Sequence, residues 1–248
     1  MIKTQPTPAF AITHADAVQW LRSVPSGAID LVVTDPPYES LEKHRATGTT
    51  TRLKQSKASS NAWFDIFPNS RFDELFAELF RVLHNDSHLY LFCDHETMRV
   101  AVPLAEARGF KFWKPIVWDK IAIGMGYHYR CRYEFILFFE KGKRKLNDLS
   151  VPDVLCEKRV HNGYPTEKPA PLIEVLVNNS TEPGEIVCDP FCGSGSAGVA
   201  ALRHGRQFVG ADLSTDAIAL ATQRLRDNGG QEGVKLVGRE MPQLALLV

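Results

Sequence analysis

Strand-sized apolar runs alternate with amphipathic helical stretches along almost the whole chain, and this alternation limits the fold more than any other feature of the sequence. Residues 11–16 read as a short strand ending in an acid, and residues 17–24 as a short helix broken by Pro25-Ser26-Gly27. Residues 29–34 form a run fit for a buried strand. Phe72, Leu75, Phe76, Leu79, Phe80 and Leu83 recur at three- and four-residue spacing, which predicts a helix with Ser70 as its cap and Asp73 and Glu74 in its first turn. A strand at 89–93, a helix at 96–108 stopped by Gly109, and strands at 111–118 and 133–140 follow. The last third repeats the rhythm: helix 170–179, strand 185–189, a small-residue helix ending at Gly205, strand 207–212, and helix 214–226 closed by Asn228-Gly229-Gly230. The pattern predicts a doubly wound α/β fold. With 248 residues, no internal repeat and no linker, the chain suits a single domain spanning residues 1–248.

Formal net charge is zero, so a polyanionic partner has to be met by a local patch rather than by a global field. No apolar run approaches the length of a membrane span, and the first residues lack the apolar core of a signal peptide. The five cysteines, Cys93, Cys131, Cys156, Cys188 and Cys192, are scattered and odd in number, which indicates neither a disulfide framework nor a zinc site. Cys93-Asp94-His95 reads as a strand end with a polar turn. The expectation is a reduced cytoplasmic protein without a metal.

Two stretches carry chemistry. The first is Asp35-Pro36-Pro37-Tyr38, at the end of the 29–34 strand, where ligand crevices of parallel sheets commonly lie. Two prolines make a stiff bend that keeps its carbonyls but offers no donor, so the stretch is a rigid row of acceptors beside an aromatic face. On its own it also reads as a strand-ending turn with a surface tyrosine. The second is Asp189-Pro190-Phe191-Cys192-Gly193-Ser194-Gly195-Ser196, a strand end and glycine turn opening a helix. Its glycines let backbone amides approach a ligand, and Asp212 ends the next strand about twenty residues on, where a carboxylate can take both ribose hydroxyls. This is the logic of a nucleotide-like cofactor site, but the spacing is neither GxGxxG nor GxxxxGK[ST], which argues against a pyrophosphate.

Together with Thr166-Glu167-Lys168-Pro169 and the helix after it, these motifs resemble the amino-group DNA methyltransferases that use S-adenosylmethionine, in the permuted β-class order with the catalytic half first. The resemblance runs from about residue 11 to residue 226. It implies a mostly parallel, seven-stranded sheet of the Rossmann-like methyltransferase type. It implies methyl transfer to N6 of adenine in DNA, since aspartate at position 35 favours adenine. N4 of cytosine is the runner-up; a catalytically silent nucleic-acid-binding scaffold, and an enzyme acting on RNA or on a protein glutamine, are further alternatives. Asp35, Pro36, Pro37 and Tyr38 would hold and stack the target base, flipped out of duplex DNA. Asp16, Ala17, Asp35, Thr166, Lys168, Asp189, Pro190, Phe191, Gly193, Ser194, Gly195, Asp212 and Leu213 would line the cofactor site. Asp16 is set by the resemblance at the cofactor adenine, and Thr166 and Lys168 near its methionine carboxylate. Each has a plainer reading: Asp16 as a helix cap, Lys168 as a solvated helix-start lysine, Asp212 as a turn acid.

For the nucleic acid, residues 39–61 form a basic segment expected to be a mobile loop, with Arg45, Arg52, Lys54 and Lys57 as contacts. The alternative is an inconsequential insertion. Tyr127, Tyr129 and Arg130 lie where the family has a loop touching the flipped base and its phosphates, or else form a structural aromatic cluster. Residues 141–160 are too few for an independent recognition domain, and Lys143 and Arg144 are the candidate contacts of this very short target-recognition segment. The resemblance also admits a homodimer, a cognate restriction enzyme, and a nucleoid-associated protein of prokaryotic or phage origin.

Overall fold

A computed structural model describes residues 8–39, 65–124, 128–161, 164 and 167–239, which build one sheet with helices on both faces. The strands are β1 (Ala9–His14), β2 (Ile29–Thr34), β3 (Leu83–Cys93), β4 (Lys111–Asp119), β5 (Tyr133–Lys141), β6 (Val154–Cys156), β7 (Ile186–Asp189), β8 (Gln207–Asp212) and β9 (Gln231–Glu232). Their order across the sheet is β6-β4-β5-β3-β2-β7-β8-β1-β9. Only β5 runs antiparallel to its neighbours, β3 and β4. The doubly wound, mostly parallel sheet expected from the sequence is present, with nine strands rather than seven among the described residues. The two additions, β6 and β9, are three and two residues long, too short for periodicity to reveal.

The helices are α1 (Ala17–Ser23), α2 (Phe72–Val82), α3 (His95–Ala107), α4 (Ala170–Ser180), α5 (Ser196–Arg203) and α6 (Thr215–Asp227). Helices α1, α2 and α3 cover one face, where Leu89, Leu91, Leu137 and Phe139 point. Helices α4, α5 and α6 cover the other, where Tyr90, Phe92 and Ile136 point. Alternate residues of β3 and β5 thus feed two cores, as the period of two requires. Helix α2 buries Phe72, Leu75, Phe76, Leu79 and Val82. Burying each such side chain is worth roughly 1.5–3 kcal/mol, so packing rather than propensity holds this helix.

Ser70 does not cap α2. It lies in a 3-10 turn, Asn69–Arg71, and the residue before the helix is Arg71. No described helix is long and apolar enough to cross a membrane.

Strands β2 and β7 pair side by side, Leu31 opposite Val187 and Val32 opposite Cys188. The chain leaves β2 toward β3 on one side and β7 toward β8 on the other, so their carboxyl ends flank the switch point of the sheet. Asp35 and Asp189, more than a hundred and fifty positions apart in the chain, are thereby set beside one another.

Candidate active site

The tie between the two loops is a buried hydrogen bond. Thr34 Oγ1, at the end of β2, donates to Asp189 Oδ1 at 2.8 Å, and the Phe191 amide donates to the same oxygen at 3.0 Å. Burial, only partly offset by these two donors, pushes the Asp189 carboxyl up to about 7. Beyond Thr34 the chain runs out as the Asp35–Tyr38 ledge. The Phe67 amide donates to the Pro37 carbonyl at 2.7 Å, and Tyr38 bridges to Phe67, so a segment distant in sequence clamps the far end of the ledge. Burial holds the Tyr38 hydroxyl well above its ordinary range, so the ring presents a neutral face.

Across the switch point, Gly193 and Gly195 take positive φ values of 49° and 78°. A side chain at Gly195 would also meet Ala221 Cβ at 3.0 Å, so glycine serves both the turn and the approach of α6. The Gly193 amide donates to Asp212 Oδ2 and the Ser214 amide to Oδ1, both at 2.8 Å. Asp212 is therefore a turn acid and also lines the cleft, and each oxygen keeps acceptor capacity for a ligand. Asp16 is a helix cap and also lines the cleft. Its Oδ1 caps α1 through the Gln19 amide, and its two oxygens pair with Arg71 at 2.8 and 2.9 Å on the cleft wall. The Arg71 guanidinium holds the Asp16 carboxyl below the usual range. Phe191 packs edge-on to Phe67 with ring centroids 5.0 Å apart, continuing that wall.

Lys168 is not a solvated helix-start lysine. Its side chain is buried, its ammonium bonds Asp35 Oδ2, and it lies 3.2 Å from Glu134 Oε1. The neighbouring Glu167 accepts from Arg224 at 2.7 Å, and Arg224 also donates to the Ser194 carbonyl, which anchors this stretch to the glycine turn. Glu134 in turn pairs with Lys120 at 2.7 Å. Burial pushes the Asp35 carboxyl up, Lys168 pulls it back and Glu134 pushes it up again, leaving it at about 6. Burial would lower the Lys168 ammonium, but the two facing carboxylates outweigh it and keep the group charged.

Apart from Gly195, Gln19, Ala221 and Arg224, which stand behind it, these groups line one cleft of about 1380 Å³, together with Ala17, Pro190, Ser194 and Leu213. That exceeds the roughly 300–1,000 Å³ of a single small-molecule pocket and leaves room for two ligands meeting at the ledge. The lining can take a nucleoside: Asp212 keeps acceptor capacity for hydroxyl groups, and Asp16 and Phe191 stand on one wall.

Sequence reasoning missed Glu134, Lys120, Arg71 and Phe67. Glu134 left no distinctive signal, because a second acid, Glu140, shares its face of β5 with Ile136 and Phe138. Among the candidate DNA contacts, Tyr129 and Arg130 are exposed on the loop joining β4 to β5 at the same sheet edge. Lys143 and Arg144 are not brought to the cleft. They follow β5 at the opposite edge, where Arg144 pairs with Glu185 at 2.8 Å ahead of β7. In the same basic run, the Lys141 ammonium donates to the Phe80 and Leu83 carbonyls at the end of α2. Arg45, Arg52, Lys54, Lys57, Tyr127 and Thr166 lie outside the described residues.

The family model for DNA methylase of the N6/N4 type matches residues 29–160 and 147–223, the first stretch holding the ledge and the second the glycine turn. The chain belongs to this DNA methylase family. Among relatives of this N6/N4 methylase, the protein YubD of Escherichia coli (strain K12) is 31% identical over 217 residues, covering 86% of this chain and 88% of its own. The DNA adenine methyltransferase YhdJ of the same organism is 28% identical over 257 residues, covering 88% of this chain and 83% of its own. In fold, the chain is similar to the M1.HpyAVI–SAM complex, with a TM-score of 0.64, 23% identity, and 87% and 100% of the two chains covered. It is also similar to the cytosine-N4-specific PvuII DNA methyltransferase, with a TM-score of 0.68, 17% identity, and 91% and 95% covered.

Proposed function

We propose that this methylase transfers a methyl group from S-adenosylmethionine to N6 of adenine in duplex DNA. The observation that carries the reading is the Thr34–Asp189 bond, which sets the Asp35 ledge beside the glycine turn so that an acceptor site and a cofactor site share one cleft. Aspartate at position 35 and the 28% identity to a DNA adenine methyltransferase support adenine.

An exocyclic amine is a poor nucleophile because its lone pair is delocalised into the ring. The Asp35 carboxylate and the Pro36 carbonyl would accept its two hydrogens and turn the lone pair out of conjugation, while the Tyr38 ring supports the flipped base. Bound S-adenosylmethionine supplies an electrophilic methyl on a positively charged sulfur. Asp212 would hold its ribose, Asp16, Ala17 and Leu213 its adenine end, and the residues from Asp189 to Gly195 its body, with Thr166 and Lys168 toward the amino-acid end. Asp35 is the nearest acceptor for the proton that the amine releases. No metal ion is called for.

With Lys143 and Arg144 on the far edge, sequence reading falls to the β4–β5 loop, to Arg159 at the cleft, and to the basic stretch 39–61. A homodimer, a cognate restriction enzyme and residence on the nucleoid are compatible with this reading.

The test is to incubate the protein with unmethylated duplex DNA and methyl-labelled cofactor, digest to nucleosides, and identify the labelled product by mass. N6-methyldeoxyadenosine is expected. N4-methyldeoxycytidine transfers the same chemistry to the runner-up base, and DNA that is bound but never labelled would overturn the reading.

A further inference from the structure

Asp35 is not the only carboxylate in the target pocket. Glu134, the second residue of β5, reaches the cleft because that strand runs antiparallel, which brings its start to the edge where β2 and β7 end. Its Oε2 is held by Lys120 at 2.7 Å. Its Oε1 lies 3.2 Å from Lys168 but has no well-aligned hydrogen bond, although the side chain is 9% exposed. Asp35, Lys168, Glu134 and Lys120 therefore form a row of alternating sign running from the ledge to the end of β4. The transfer chemistry does not itself ask for a second carboxylate, since Asp35 and the Pro36 carbonyl suffice for two amine hydrogens. Enclosing a carboxylate is costly unless its charge is answered by partners, and both partners here are lysines.

We propose that Glu134 is a positioning residue for methyl transfer, acting through Lys168: by sharing that ammonium it leaves one oxygen of Asp35 free to accept from the target amine. This rests on the reading of Asp35 as the amine acceptor. Without the Glu134 charge, Lys168 has one carboxylate to serve and settles on Asp35. The carboxylate is then more firmly ionised but a weaker acceptor, with less of it available to the substrate. Lys120 works in the opposite sense, because it holds Glu134 and keeps it from claiming Lys168 outright. The other groups facing Asp35 and Glu134 are Asp189 from β7, Tyr38 on the ledge and Cys93 at the end of β3; Asp94, next to Cys93, faces both Cys93 and Tyr38.

The experiment uses cofactor-free protein carrying carbon-13 at the aspartate carboxyls, with the Asp35 resonance assigned from Asp35→Asn. The wild-type midpoint is expected near 6. In Glu134→Gln it should fall by about one pH unit, in Lys120→Met it should rise, and in Glu134→Asp it should stay near the wild-type value. The acid limb of single-turnover methyl transfer should move the same way in each variant. Thermal melting identifies any variant that fails to fold, and either of the first two then carries the test alone. An Asp35 midpoint that stays put in the folded variants, or moves in one direction in both, overturns the proposal. Opposite movements in a protein that methylates no DNA base would leave the charge coupling standing and instead overturn the reaction on which the proposal rests.

Discussion

At the scale of single residues, Asp35 sets the working pH. Its side chain keeps about a quarter of its surface open to the cleft, and the rest is enclosed by protein and by Lys168. Burial raises its carboxyl to about 6 against the pull of that lysine. Protonation removes the acceptor that orients the amine, so activity is lost as pH falls through this value and levels off above it. Single-turnover rates measured from pH 5 to 8 should rise about tenfold per unit below 6; a rate flat across that window would contradict the assignment. Asp35→Ala should lower the transfer rate by about 10²–10³-fold, as for loss of one pre-organised polar group, while calorimetry finds cofactor binding largely intact. The ledge was legible in the sequence because all four of its groups are consecutive. Glu134 and Lys120 were not, because each takes its meaning from partners on other strands, and no local spacing encodes the pairing of β4 with β5 or the approach of Lys168.

At the scale of elements, the close packing of α5 against the sheet decides how firmly the glycine turn is held. Gly198, within α5, has no room for a side chain: an added Cβ would lie 2.6 Å from both Leu225 of α6 and Phe208 of β8. Gly198→Ala should therefore cost about 1–3 kcal/mol through overpacking. For a chain of this size that lowers the melting temperature by roughly 2–4 °C per kcal/mol, and an unchanged calorimetric melt would show that α5 moves aside freely. Most elements were legible because apolar periodicity and glycine stops reach the sequence directly, as in α2 and in α3 before Gly109. The start of α2 was misread at Ser70 for a tertiary reason. Glu39, next along from the ledge, accepts from the Asn69 amide at 2.7 Å and from its side chain at 3.1 Å, and the 3-10 turn forms there. The 3-10 turn ahead of that helix is thus held from thirty residues away, so the segment that clamps Tyr38 and the turn that carries Arg71 are positioned together.

At the scale of the whole molecule, the sheet sorts chemistry from scaffolding by its two edges. Asp16, Asp35 and Lys120 follow the carboxyl ends of parallel strands, Asp189 and Asp212 end theirs, and the antiparallel strand β5 adds Glu134 from its start. The opposite edge receives Lys141, Lys143 and Arg144: the Lys141 ammonium bonds the end of α2, Arg144 pairs with Glu185, and the Lys143 backbone amide donates to Asp86 while its side chain stays exposed. A chain with zero net charge has no global attraction for DNA, so affinity must come from cations clustered where the base enters. Arg130 and Arg159 are exposed at that edge, Arg159 beside the β4–β5 loop at Gly124. Each phosphate contact contributes close to one unit to the dependence of log affinity on log salt. Fluorescence anisotropy with duplex DNA across a salt series should show Arg130→Ala and Arg159→Ala each weakening binding and each reducing that slope by about one. The paired change Lys143→Ala and Lys145→Ala removes as much formal charge from the far edge, so it separates position from charge. Equal losses in the two pairs would mean that DNA does not approach from the side of the ledge. Unchanged affinity in the second pair, with a shallower salt slope in the first, would mean that the edge collecting the catalytic carboxylates also receives the duplex.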